Sequence, residues 1–157
     1  MRTLLNDESF IEKSLFKDKG IAGKTIIVQG FGAVGYWASK FFQQDGAKVI
    51  GIIEYNSAIY NPNGIDVDSA KAYFTQRGTF IGFRGAQEET SLDPTSYMEK
   101  ECDILIPAAK EKAISQDNCD LLQCKVILEG ANGPTTFRAE NALEKRGIIV
   151  VPDMLAN

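Results

Sequence analysis

Histidine is absent from this sequence, and the three cysteines, Cys102, Cys119 and Cys124, lack any paired CxxC spacing. Together these gaps remove the usual ligand set of a zinc site and leave the thiols as buried or half-buried residues of a reducing compartment. Positive charge is also short: 17 Lys and Arg stand against 21 Asp and Glu, a net charge of -4. The chain therefore offers no basic face for nucleic acid. No apolar run approaches the ~20 residues that span a bilayer, so no membrane partner is expected. Met1-Arg2-Thr3-Leu4-Leu5-Asn6 has the composition of neither a secretory signal nor an Arg/Ser-rich transit segment. There is no internal repeat and no low-complexity tract. What remains is a globular composition, 44% hydrophobic and 24% charged over 157 residues. That length suits one domain that buries a full core without disulfides or metals.

Strand-like and helix-like segments alternate, which predicts an α/β fold: a Rossmann-like, mostly parallel sheet with helices on both faces. Asn6 or Asp7 caps a first helix carrying Phe10, Ile11, Leu15 and Phe16, ended by the turn from Gly20 to Gly23. Thr25 to Gln29 and Lys48 to Ile53 read as strands. Between them Val34, Trp37, Ala38, Phe41 and Phe42 recur at helical spacing and Gly46 stands where a terminal cap belongs. Asn61-Pro62-Asn63-Gly64 is turn chemistry, and Asp66 opens a helix that stops at Gly78. Thr79 to Thr90 reads as a Gly-rich connection of low regularity. Further strands are expected at Asp103 to Ile106, Lys125 to Glu129 and Ile148 to Val151, with Pro134 in the first turn of a helix running to Gly147.

Open parallel sheets bind ligands beyond the carboxyl ends of their strands, so the residues that follow each strand carry the functional weight. Gly30-Phe31-Gly32-Ala33-Val34-Gly35 follows the first strand and opens the next helix. Its glycines suit a tight turn, a close backbone approach to a pyrophosphate and close packing of helix on sheet, with helix N-terminal N–H groups facing the phosphates. Glu54 closes the second strand 19 residues after Gly35. There a carboxylate accepts hydrogen bonds from ribose hydroxyls. Neither Lys nor Arg occurs from Tyr55 through Asn63 to neutralise a 2′-phosphate. That favours NAD over NADP, with NADP still possible through a basic residue from elsewhere. Tyr36 and Lys40 have the Tyr-x-x-x-Lys spacing of short-chain dehydrogenases, but they sit on the helix directly after the Gly loop, the wrong place for that pair. Asp153 follows a strand with no histidine, metal set or second carboxylate beside it in sequence, so it reads as structural.

Gly130-Ala131-Asn132-Gly133-Pro134-Thr135-Thr136 is a run of small residues that lets backbone lie against a flat ring or sugar, and Asn132 can donate and accept there. A tight loop before a helix explains it equally well. Taken with Ile27 to Gly35, Asn61 to Asp66, Cys102 to Ala109 and Val151 to Asn157, this run resembles glutamate dehydrogenase in both order and spacing. The resemblance extends from about Lys24 to Asn157, and Gly78 to Phe83 looks closest to the hexameric mitochondrial-type branch.

That resemblance implies a coenzyme-binding domain over residues 1–157, with residues 1–23 a helix and linker to a substrate domain outside the sequence. Gly30, Phe31, Gly32, Ala33 and Val34 would hold the pyrophosphate. Glu54 and Tyr55 would lie on the adenosine side, and Ala108, Ala109 and Lys110 on the nicotinamide half. Asn132 and Asn157 would face the nicotinamide ribose and carboxamide. Catalytic lysine and aspartate groups belong to the missing domain, so glutamate and 2-oxoglutarate would be handled only with it, in a homo-hexamer of the mitochondrial matrix or, alternatively, the cytoplasm. Some positions depart from the family pattern: Ala33 for Asn, Tyr55-Asn56 for small or acidic residues, Lys110 for Ser, and Phe137-Arg138 for Pro and an acid. Loss of a side-chain donor at Ala33 weakens phosphate contact by about 1 kcal/mol. The competing expectation is a standalone, non-catalytic nucleotide-binding or structural subunit.

Overall fold

The computed structural model describes residues 3–14 and 16–152. Seven strands form one sheet: β1 (Thr25–Gln29), β2 (Lys48–Ile53), β3 (Ala58–Tyr60), β4 (Glu88–Thr90), β5 (Ile104–Pro107), β6 (Val126–Leu128) and β7 (Ile149–Val151). Their spatial order is β4-β3-β2-β1-β5-β6-β7. The five from β2 through β7 are mutually parallel, and β3 and β4 add an antiparallel edge. Helices α1 (Glu8–Lys13), α2 (Ala33–Gln44), α3 (Val67–Arg77) and α4 (Phe137–Lys145) cover the sheet. The expected Rossmann-like architecture is what forms.

The central strands are continuously apolar because both of their faces are buried. Ile26, Val28, Ile104, Ile106, Val126 and Leu128 pack with Phe42 of α2 and Val67 and Ala70 of α3. On the opposite face Ile27, Leu105 and Ile127 meet Ala139 and Leu143 of α4. One strand breaks the alternation: Val49 and Ile52 of β2 share the first face, while Ile50 and Ile53 share the second. The cause is a slip in register, since Ile26 pairs with Val49 but Ile27 with Gly51. An extra residue in one strand turns the following side chains over. Gly51 occupies the crowded position, where a Cβ would lie 3.0 Å from Ile27 Cγ1.

Helix ends follow the sequence signals in α3, where the Asp66 side chain accepts from the Ser69 N–H and Gly78, at φ 70°, terminates the helix. Elsewhere the structure corrects the expectation. The first helix stops at Lys13 rather than running through Phe16, with Ser14 extended at its end. Ser14 Oγ accepts from the Phe16 N–H at 3.3 Å, a local bond that competes with helix continuation; Leu15 lies outside the described residues. The segment from Thr79 to Thr90, expected to be irregular, ends in β4, which pairs with the equally short β3. β4 is Glu88-Glu89-Thr90 and largely exposed, so no apolar run marks it in the sequence. Pro134 is not in the first turn of the last helix. Thr136 caps α4 by accepting from the Ala139 N–H, and Pro134 instead offers its carbonyl to the Ile114 N–H at 2.9 Å.

Candidate functional site

The chain leaves β1 through α2 to reach β2 on one side, while β5 pairs with the other side of β1. Loops that diverge from neighbouring parallel strands open a crevice at their carboxyl ends. Gly30 begins that crevice with φ 88°, and its N–H donates to the Ile53 carbonyl at 2.7 Å. A Cβ on Gly30 would stand 2.8 Å from the backbone of Ala109, so the loops after β1 and β5 touch at this glycine. The loop after β6 closes on the same place. A Cβ on Gly130 would come within 3.0 Å of Ala108 Cβ and 3.3 Å of Val34 Cγ1, and the Gly130 and Ala131 N–H groups both donate to the Pro107 carbonyl, at 3.0 and 3.1 Å.

Each remaining glycine of the motif has its own spatial reason. A Cβ on Gly35 would collide with the Gly30 carbonyl oxygen, so α2 rests directly on the turn. Gly32 is the N-cap of α2, and a Cβ there would meet no atom within 4 Å. The space in front of the helix is open. Helix geometry leaves the N–H groups of Ala33, Val34 and Gly35 without intrahelical acceptors at the positive end of the dipole. Open space, N–H donors and a close backbone approach together fit a pyrophosphate.

Glu54 is not a loose charge at a strand end. Its Oε1 accepts from the Phe31 N–H at 2.6 Å and its Oε2 from the Tyr55 N–H at 3.3 Å, which fixes the carboxylate against the Gly loop. The Phe31 ring is only 1% exposed, set edge-on to Tyr36 and tilted on Phe80. Its side chain belongs to the core and its backbone to the crevice. Sequence reasoning missed a third partner: Lys71 of α3 donates to the Phe31 carbonyl at 2.8 Å, its ammonium lying 5.6 Å from the Phe31 and Tyr36 ring centroids. Its partner is a backbone carbonyl of another element, for which no sequence pattern exists.

Other expected site residues are less engaged. Tyr55 is 84% exposed, and Lys110 and Asn132 are exposed in their loops. Asn157 and Asp153 lie outside the described residues. Gln29 and Thr135 flank the crevice in sequence, and each keeps a buried side-chain oxygen with no partner among the described residues. Tyr36 and Lys40 are occupied elsewhere: the Tyr36 hydroxyl donates to Asp68 Oδ1 at 2.7 Å and Lys40 Nζ lies 2.9 Å from it. The Tyr36 hydroxyl, then the Lys40 ammonium, hold the Asp68 carboxyl below its usual value. This cluster clamps α2 to α3. Among the described residues no group of three or more side chains could hold a metal, and no helix is long and apolar enough to cross a membrane. Concave pockets bounded by Asn6, Gly20, Ile21 and Asp45, and by Phe10, Glu140 and Ile148, share no residue with the crevice.

Comparison with known proteins gives a consistent result. Residues 8–157 match the family model for glutamate/leucine/phenylalanine/valine dehydrogenases. A mitochondrial glutamate dehydrogenase of Dictyostelium discoideum is 47% identical over the whole of this chain, which covers 31% of that protein. An NADP-specific glutamate dehydrogenase of Saccharolobus shibatae is 39% identical over 88% of this chain and 32% of its own length. Among solved structures, the hetero-hexameric glutamate dehydrogenase of Thermus thermophilus, in a Leu-bound form, superposes with a TM-score of 0.80 at 25% identity. That match covers 99% of this chain and 35% of that one. The chain thus spans about a third of the length of the relatives it matches. On its motifs, its fold and these matches, it belongs to the glutamate/leucine/phenylalanine/valine dehydrogenase family.

Proposed function

We propose that this chain is the coenzyme-binding domain of a glutamate dehydrogenase, acting with a substrate domain in the oxidative deamination of glutamate to 2-oxoglutarate and ammonia. The observation that carries this reading is the crevice between β1 and β5. In it Gly30, Gly32 and Gly35 have separate steric roles and Glu54 is bonded to the loop they form. The coenzyme's nicotinamide supplies the hydride acceptor. The residues of this chain bind and orient: the Gly loop from Gly30 through Phe31, Gly32 and Ala33 to Val34 holds the pyrophosphate, Glu54 the adenosine ribose with Tyr55 beside it, and Ala108, Ala109 and Lys110 border the nicotinamide half. Asn132 and Asn157 face the nicotinamide ribose and carboxamide. Acid–base chemistry on the amino acid comes from the other domain, so this polypeptide alone binds coenzyme without turning over glutamate.

NAD is the proposed coenzyme, because a carboxylate at the ribose prefers a hydroxyl to a phosphate. Assembly as a hexamer is proposed from the hetero-hexameric Thermus thermophilus structure, and a mitochondrial location from the Dictyostelium discoideum relative. Paired titrations of NADH and NADPH into Glu54→Ala and the parent chain test the reading. Glu54→Ala is expected to weaken NADH by roughly tenfold, the loss of a charge-assisted hydrogen bond, and NADPH by less. No saturable binding of either coenzyme to the parent chain, or measurable glutamate turnover by it, would overturn the reading.

A further inference from the structure

Helix α2 presents three faces, and only two of them are met. At about 100° per residue, Gly35, Ser39 and Phe42 share one face, and these are the buried residues of the helix. Tyr36, Lys40 and Gln43 share a second, turned to α3: Tyr36 and Lys40 bond Asp68, while Gln43 donates to the Ile65 carbonyl and accepts from the Val67 N–H. Val34, Trp37 and Phe41, at i, i+3 and i+7, make the third. They are 54%, 49% and 49% exposed, although the Trp37 and Phe41 rings stack on each other at 5.6 Å. Apolar spacing that ordinarily marks a core stripe here faces outward. The stripe also lacks charge, since the one charged side chain of α2 is Lys40 and it pairs with Asp68. A helix flank left to water carries charged and polar groups, whereas aromatic side chains without charge are the composition of an interface core. The position of the stripe is equally informative. It lies away from α3, and its first member reaches the loop after β6, where Val34 Cγ1 stands 3.3 Å from the place of a Cβ on Gly130. The stripe therefore starts in the crevice, on the side proposed for the nicotinamide half.

We propose that the Val34, Trp37 and Phe41 face of α2 is the surface on which the substrate domain docks, seating that domain over the nicotinamide half of the crevice. The inference rests on the coenzyme-binding reading above. Two observations commit the face to this occupant. The relatives are about three times as long as this chain, and an amino acid must be delivered to the nicotinamide from the side on which the stripe begins. Size points the same way. Three half-exposed side chains bury far less than the ~800 Å² per partner of a stable protein–protein interface, too little to hold a free second copy. Within one polypeptide the covalent link supplies the effective concentration, and a small apolar contact suffices. The part of the substrate domain that meets the stripe is accordingly apolar, a helix or loop with aliphatic or aromatic side chains facing Trp37 and Phe41.

The docked state is supplied by a chimera: the Dictyostelium discoideum glutamate dehydrogenase with this chain in place of its matching segment, 31% of that protein. Hydroxyl-radical oxidation of Trp37, read by mass spectrometry, is compared between the chimera and the 157-residue chain, and NADH is titrated into both. Oxidation of Trp37 is expected to be several-fold slower in the chimera. Phe41→Lys is expected to lower the thermal midpoint of the chimera well beyond that of the chain, while the chain's NADH affinity stays within about twofold, as for a surface change. Equal oxidation of Trp37 in the two proteins, or equal losses from Phe41→Lys, overturns the docking surface and leaves coenzyme binding standing. Protection of Trp37 that grows with the concentration of the chain alone, and goes no further in the chimera, assigns the face to a second copy and overturns the proposal too. If the chimera does not fold, the Dictyostelium substrate domain is added to the chain as a separate polypeptide, and Trp37 oxidation that does not slow as its concentration rises overturns the proposal. Absence of NADH binding in the chain and the chimera alike overturns both readings.

Discussion

Gly35 shows how little freedom the crevice leaves a single residue. A Cβ there meets the carbonyl oxygen of Gly30, a backbone atom that cannot rotate away as a side chain could. Gly35→Ala must lift α2 off the turn, and an overpacked site of this kind costs roughly 1–3 kcal/mol. The expected outcome is a lowered unfolding midpoint together with loss of coenzyme affinity, since the N–H cradle moves with the helix. Urea denaturation and an NADH titration on the same preparation check it; an unchanged affinity would show that the cradle does not depend on this contact. Gly32 makes the contrast. Its missing side chain leaves open space, so its use lies in what can approach from outside. The sequence motif presents these glycines as equals, and only their neighbours separate them.

Among elements, α3 ties the edge strands to the crevice. It begins on the Asp66 cap, turns Lys71 toward Phe31, and ends at Gly78, whose carbonyl accepts from Asn56 Nδ2 at 2.7 Å. Removing the cap with Asp66→Ala leaves the Ser69 N–H unpaired and costs about 1 kcal/mol, read as a shift of the urea midpoint without change in slope. β1 and β2 were legible to the residue because long apolar runs bounded by polar residues and glycine leave one reading. β3 and β4 were not: β4 is Glu88-Glu89-Thr90, with no apolar run to mark it, and the two edge strands meet across the connection from Asn61 to Gln87, where Asn61 Nδ2 donates to the Gly85 carbonyl. The end of α1 escaped for a similar reason: a hydroxyl at Ser14 bonded to the Phe16 N–H outweighs an apolar pattern that would have continued the helix. In the crevice, Gly30, Gly32, Gly35 and Glu54 follow from spacing. Lys71 does not, because its partner is a main-chain oxygen.

Across the whole molecule the two ends of the sheet are built differently. The carboxyl edge carries glycines and backbone groups, whereas the amino edge is stitched by Asp103. Its Oδ2 accepts from the Thr25 N–H at 2.9 Å, and its Oδ1 from Lys125 Nζ at 2.6 Å, so one carboxylate joins the starts of β1, β5 and β6. Burial alone would raise the Asp103 carboxyl, but the Lys125 ammonium and the Thr25 donors outweigh it and hold the group below its ordinary value of 3.8. A carboxyl lowered in the folded state contributes its full stability above the unfolded value and loses it as pH falls through the folded value. The expected result is a loss of stability that sets in below about pH 5 and deepens as the carboxyl protonates. Asp103→Ala costs about 2 kcal/mol at neutral pH and flattens that acid limb. Denaturant midpoints collected from pH 3 to 7 for both proteins test the point. Burial also pushes the Cys124 thiol up to about 12, in keeping with thiols that serve the core rather than redox chemistry.

The chain's one tryptophan stands a turn into α2, behind the Gly loop. Its indole is half exposed, stacked on Phe41 and edged by Tyr36. This chain therefore carries its single indole on the helix whose first turn forms the crevice. Reduced nicotinamide absorbs where indole emits, so on the proposed coenzyme-binding reading selective excitation of Trp37 in this chain reports NADH in the crevice by energy transfer, without a label.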